Sequence, residues 1–122
     1  GDFSIDFTLT TTDADVQLAS QGEAWSLALK GGKLCFKAGH VAYTTPVSVH
    51  DGKAHHIVCC RERNGMVKVY VDGQLQGTAY DKAYVNEPLQ PAPIVLGQAG
   101  RTFTFDTFTL RDGALSFDEV GL

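Results

Sequence analysis

Phe3, Ile5, Phe7 and Leu9 alternate with Ser4, Asp6, Thr8 and Thr10. Successive side chains on a strand point to opposite faces, so this period of two describes a strand with one buried face and one wet face. A helix would scatter the same residues around its circumference. The pattern returns at Trp25, Leu27 and Leu29, at Leu34 and Phe36, at Val41 and Tyr43, and at Val67, Val69 and Val71. Residues 57–60 are apolar on both faces, and 94–96 form a short run that reads as buried. Phe103 and Phe105 give way to Phe108 and Leu110, a reversal of phase at Asp106-Thr107 that predicts a bulge or bend.

Glycine turns punctuate these strands. Gly31-Gly32, Asn64-Gly65 and Asp72-Gly73 each lie between two strand patterns, and such dipeptides suit the positive φ of a hairpin. Asp51-Gly52 and Asp112-Gly113 mark further turns. Residues 80–93 carry Pro88, Pro91 and Pro93 with little alternation, which predicts a long surface crossover between sheets. Ser116 and Glu119 have the spacing of a capping box, so one short helical turn is expected over 116–120. Many short strands with frequent turns make the chain all-β, a sandwich or a barrel, with residues 1–122 forming one domain.

Composition excludes several functions. The 122 residues are 43% apolar and 20% charged, enough apolar content for a packed core. Lys and Arg number 10 against 14 Asp and Glu, for a net charge of −4. A phosphate-backbone binder needs a basic surface, so nucleic acid is not the expected partner. No apolar run approaches the roughly 20 residues of a membrane span, so no membrane insertion is expected. The sequence opens on a strand pattern with no secretory leader ahead of it, which reads as a mature or excised module. Cys35, Cys59 and Cys60 are odd in number. Cys35 could bridge to one of the other two if their strands pair, but unpaired small apolar residues are the favoured reading.

Asp51-Gly52-Lys53-Ala54-His55-His56-Ile57-Val58, followed by Val67-Lys68-Val69-Tyr70-Val71-Asp72-Gly73, resembles the signature DGKWHHVAV…VKLYVDG of laminin-G-like domains. The opening Asp2-Phe3-Ser4-Ile5 and the hairpin Trp25-Ser26-Leu27 to Gly32-Lys33-Leu34 resemble the family's earlier strands. Phe105-Asp106-Thr107-Phe108 through Glu119-Val120 is similar to its closing IDDVRIYNRALSAEEI. The family's Trp ahead of the His pair is Ala54 here. The family usually has one more strand ahead of the opening one, and this sequence begins too late to include it. The resemblance implies an antiparallel two-sheet β-sandwich, the concanavalin-A-like jelly roll. It also implies an extracellular or cell-surface setting, attachment to further domains and a glycan or glycoprotein partner.

Jelly rolls that hydrolyse glycans need paired carboxylates about 5 Å apart. Glu23, Glu62, Glu87 and Glu119 are scattered, and Asp13-x-Asp15 reads as a solvated loop, so no catalytic residue is assigned. His55, His56, Cys59 and Cys60 cluster in sequence, but neighbours on a strand diverge and cannot converge on zinc. The resemblance makes calcium the one cofactor to consider, with Asp13, Asp15 and Asp106 as hard-oxygen candidates, but none is assigned to a metal site. Sugar rings need aromatic faces and polar partners. Tyr80 and Tyr84, on the proposed crossover, are the favoured ligand-binding pair, with Tyr43 and Arg61 next. Tyr70 is a further aromatic candidate, and His40, Asn86, Gln98 and Arg101 are further polar partners. Trp25, in phase with Leu27 and Leu29, is assigned to the core.

The expected function is a non-catalytic lectin-like module, an accessory domain of a glycan-active enzyme or surface protein. The alternative is a protein–protein adhesion or spacer domain without a glycan ligand. One local question bears on the core. A two-residue turn at Asn64-Gly65 pairs Cys60 with Val69, whereas a three-residue loop pairs Cys59 with Val69. The resemblance favours the second, which turns Ile57 and Cys59 inward and leaves Cys60 as the more reactive thiol on the other face.

Overall fold

The computed structural model describes residues 3–22, 24–62, 65–80, 94–97 and 103–112. They form β1 (Phe3–Thr11), β2 (Val16–Gln21), β3 (Trp25–Lys30), β4 (Lys33–Ala38), β5 (Val41–Ser48), β6 (His55–Arg61), β7 (Met66–Val71), β8 (Gln74–Tyr80), β9 (Ile94–Leu96) and β10 (Phe103–Asp112). Two five-stranded antiparallel sheets result. One runs β10-β1-β6-β7-β8 and the other β5-β4-β3-β2-β9. No helix occurs among the described residues. The expected helical turn at 116–120 lies outside them, as does most of the crossover from residue 81 onward.

The alternating apolar residues fill the space between the sheets. Phe3, Ile5, Phe7 and Leu9 of β1 are fully buried, as are Leu27 of β3, Leu34 and Phe36 of β4, and Val67 and Val69 of β7. Aromatic rings bridge the layers. Phe3 meets Phe36 edge-on at 6.4 Å between centroids. Phe108 of β10 stands 5.7 Å from Phe7 and 6.4 Å from Trp25. Trp25 is core, as its phase predicts.

The turns follow the glycines. Asp72 and Gly73, at φ +53° and +80°, join β7 to β8 with Val71 opposite Gln74, the two-residue geometry that matches strand twist. The phase reversal in β10 is a bulge: Asp6 pairs with Thr109 but Thr8 with Asp106, so β10 carries one extra residue there. The β6–β7 loop has three residues. Cys59 pairs with Val69, Arg61 with Val67, and the Glu62 amide donates to the Met66 carbonyl at 2.8 Å.

Several expectations need correction. Cys60 points away from the core, as the register requires, but it is fully buried, not exposed. It forms a second apolar cluster with Val58 and Tyr70 on the outer face of its sheet. Tyr70 is only 4% exposed, so it offers no open ring face. Val95, read as buried, is exposed on β9, which is an edge strand. Residues 16–21 form a strand although the sequence shows no clean alternation there. The register shifts between Gln17 and Ala19, so Leu18 and Ala19 are both buried. All three cysteines are free thiols, in agreement with the reading favoured from the sequence.

Candidate functional site

The β2–β3 and β4–β5 turns project from the same end of one sheet, because Trp25 at the start of β3 pairs with Ala38 at the end of β4. Gly22 and Gly39 hold positive φ in these turns, at +53° and +62°, and the Gly39 amide donates to the Ala24 carbonyl. Between them opens a cleft of about 580 Å³, lined by Gly22, Trp25, Ser26, Lys37, Gly39 and His40. That volume lies within the range of small-ligand sites. Trp25 forms its floor; the indole Nε1 donates to Gln21 Oε1 at 3.0 Å, and the ring is turned into the core. Ser26 and Lys37 are directly opposed across β3 and β4, in phase with each other and away from the core. Cross-strand neighbours lie roughly 5 Å apart at Cβ.

A second polar cluster sits at the Asp72-Gly73 turn. His55 Nδ1 lies 2.8 Å from Asp72 Oδ2, and its Nε2 lies 2.9 Å from Asp51 Oδ1. Asp72 Oδ1 accepts from the His56 amide at 3.0 Å, and Asp51 Oδ1 accepts from the Lys53 amide at 3.0 Å. Only a doubly protonated imidazole donates from both ring nitrogens. Burial of His55 opposes that charge, but the hydrogen bonds to Asp72 and Asp51 outweigh it and raise the His55 pKa above 6.5. The Asp51 pKa is lowered, first by the Lys53 amide and then by His55. His56 turns the other way, with Nε2 at 2.6 Å from Asp6 Oδ1. The clustered histidines therefore tie the loop before β6 to the β7–β8 turn and to β1.

Residues 4–121 match the family described as the concanavalin A-like lectin/glucanases superfamily, laminin-G type 3. The chain belongs to this superfamily. No curated protein matches the sequence. Solved structures share the concanavalin A-like fold at low identity. The binding domain of Paraclostridial Mosquitocidal Protein 1 is 16% identical with a TM-score of 0.82; the match covers 98% of this chain and 36% of that one. The receptor binding domain of botulinum neurotoxin C/D mosaic serotype is 13% identical with a TM-score of 0.77, over 98% and 35% of the two chains. A structure of botulinum neurotoxin type C, whose cell entry depends on interaction with two ganglioside molecules, is 13% identical with a TM-score of 0.76, over 98% and 34%. The chain thus spans about a third of these structures.

Within this lectin-type sandwich the sequence-named ligand residues do not gather. Tyr80 ends β8 with its side chain exposed, and Tyr84 lies outside the described residues. Tyr43 is turned inward from β5, where its ring lies over Gly77 of β8 so closely that a Cβ on Gly77 would overlap it. Arg61, half-buried at the end of β6, shares the inward phase of Cys59. Of the further polar candidates, His40 reaches the cleft, whereas Asn86, Gln98 and Arg101 lie outside the described residues. Among the described residues no group of His, Cys, Asp or Glu converges to hold a metal ion. Asp15 Oδ1 accepts from the Gly31 amide at 3.0 Å. No described helix is long and apolar enough to cross a membrane. The cleft has no aromatic signal in the sequence, because its described lining is Gly22, Ser26, Lys37, Gly39 and His40 around the buried Trp25. The signal available in sequence was the pair of turns containing Gly22 and Gly39, on either side of the Trp25 hairpin.

Proposed function

We propose that the chain is a non-catalytic carbohydrate-binding module, working at a cell surface or in the extracellular space as one part of a larger protein. The observation that carries this reading is the open, polar-walled cleft of about 580 Å³ in a fold of the lectin superfamily. Similar folds form about a third of a botulinum neurotoxin receptor binding domain and of a structure of botulinum neurotoxin type C, whose cell entry depends on interaction with two ganglioside molecules, which are glycolipids. That likeness supports a sugar ligand and a setting among further domains. On this reading the module holds its ligand without cleaving it: glycoside hydrolysis needs two carboxylates spaced across the bond, and the sequence carries no alternating run of carboxylates. Calcium is not required for binding. Tyr80, with Tyr84, supplies an aromatic face for the bound glycan.

A glycan array probed with the intact chain tests the reading. Reproducible binding to defined oligosaccharides, recovered uncleaved and insensitive to chelator, is the expected result. Absence of binding to any glycan at millimolar ligand would overturn it in favour of the adhesion or spacer reading.

A further inference from the structure

We propose that the cleft between the β2–β3 and β4–β5 turns is a subsite for a sugar bearing a single negative charge, with Lys37 as the partner of that charge. This rests on the carbohydrate-binding reading and specifies which sugars it covers.

The walls set the chemistry. Among the described lining residues Trp25 is the one Phe, Tyr or Trp, and at 1% exposure it offers no face for stacking. A neutral sugar in this cleft would depend on hydrogen bonds that largely replace those it makes with water. An anionic group changes the balance, because hydrogen bonds to charged partners are roughly twice as strong.

Lys37 is placed to supply that partner. It projects from the exposed face of β4 into the cleft and forms no ion pair among the described residues. Lys68, the lysine at the middle of the other sheet's outer face, is held by Glu62 at 2.6 Å instead. Ser26, directly opposite Lys37, adds a hydroxyl that can bind a neighbouring oxygen of the same sugar. His40 lines the adjoining turn. Gly22 and Gly39 themselves add no side chain to the lining. One ammonium matches one negative charge, whether a carboxylate or a sulfate monoester. The chain as a whole is negative, at −4, so attraction of an anion here depends on the local cation.

Titration calorimetry on the intact chain provides the test. The probes are a uronic-acid-terminated oligosaccharide, its neutral methyl ester and the sulfated neutral counterpart. The acid should bind at least tenfold more tightly than its ester at low salt, and the advantage should shrink as salt is added. Lys37→Ala should remove the preference, Lys37→Glu should reverse it, and Lys37→Arg should keep part of it. Unchanged circular dichroism in each variant shows that the fold is intact. The sulfated probe decides the source: equal binding means charge alone is read, and weaker binding means carboxylate geometry is read. Equal affinity for acid and ester, or a preference that survives Lys37→Ala, overturns the inference while the carbohydrate reading stands. Failure of every saccharide on the array and in calorimetry overturns both.

Discussion

His55 is clamped between two carboxylates, and the nearer of them, on Asp72, also accepts the amide of the next residue, His56. One side chain at a hairpin turn therefore orders two successive residues of the neighbouring strand. Asp72 itself has φ +53°, the one positive value outside glycine among the described residues. This strained conformation aims its carboxylate back across the sheet. The recurrence of Asp, His-His and Asp-Gly along this part of the sequence thus has a mechanical explanation.

Stability should depend on pH through this clamp. The His55 pKa is higher in the folded state, so its contribution is fully present below about 6.5 and fades as pH rises through the folded value. The Asp51 pKa is lower in the folded state, so its contribution is present above about 3.8 and fades as pH falls. Both act together between those values. Urea melts at pH 6 and pH 8.5 should show a loss of stability at the higher pH that His55→Gln abolishes. An unchanged difference in the variant would mean that His55 does not titrate in this way.

Gly77→Ala should destabilise the sandwich by about 1–3 kcal/mol, because the added methyl meets the ring of Tyr43. Combining it with Tyr43→Ala should cost less than the sum of the two single changes. Additive losses in a double-mutant cycle would show that the two positions do not share this contact.

Thiol labelling of the native protein should modify Cys35 first. Cys35 is half-exposed on β4, whereas Cys59 and Cys60 are both fully buried. Burial also pushes the Cys59 pKa well above its usual value, with proximity to Cys60 adding to the effect, so little thiolate forms. Mass spectrometry of partially labelled protein checks the order. Early modification of Cys60 would mean that its outer-face cover opens readily.

Tyr80→Ala together with Tyr84→Ala should weaken glycan binding by about 1–3 kcal/mol, the scale of lost aromatic contacts. The loss should be similar for acidic and neutral glycans, unlike the charge-selective effect at Lys37. Tyr80 is exposed at the end of β8, so its replacement should leave the melting temperature nearly unchanged. Affinity within twofold of the unmodified chain would remove this aromatic pair from the binding surface.

The sequence was most readable where a strand has one wet face and one dry face. Phe3 to Leu9 and Val67 to Val71 alternate because each lies inside a sheet against the other layer. The reversal at Asp106-Thr107 revealed a bulge for the same reason. β2 was hidden because its own bulge places Leu18 and Ala19 inward together, which breaks the period. Edge strand β8, with exposed Gln74 and Leu75, shows no clear face at all. The β6–β7 loop could not be decided from turn preferences and needed the family pattern. Cover over Cys60 and Tyr70 is a tertiary property with no local signature. In the cleft, Ser26 and Lys37 look like ordinary solvent-facing positions, and only the pairing of β3 with β4 makes them neighbours.

The position of β1 has a consequence for how the chain is assembled. It is an interior strand, hydrogen-bonded to β6 on one side and β10 on the other, and Phe3 pairs with Asp112. During synthesis β1 can zip onto β6 long before its other neighbour has left the ribosome. Until residues 103–112 emerge, its second side is a bare row of amides and carbonyls, the kind of template on which chains stick together. The same late strand delivers Phe108, the ring that stands between Phe7 and Trp25. Pairing across nearly the full sequence makes folding slow, in the millisecond-to-second range typical of β-sandwiches. A nascent chain stalled before β10 would therefore lack both its last hydrogen-bond ladder and one of the rings that join the two layers.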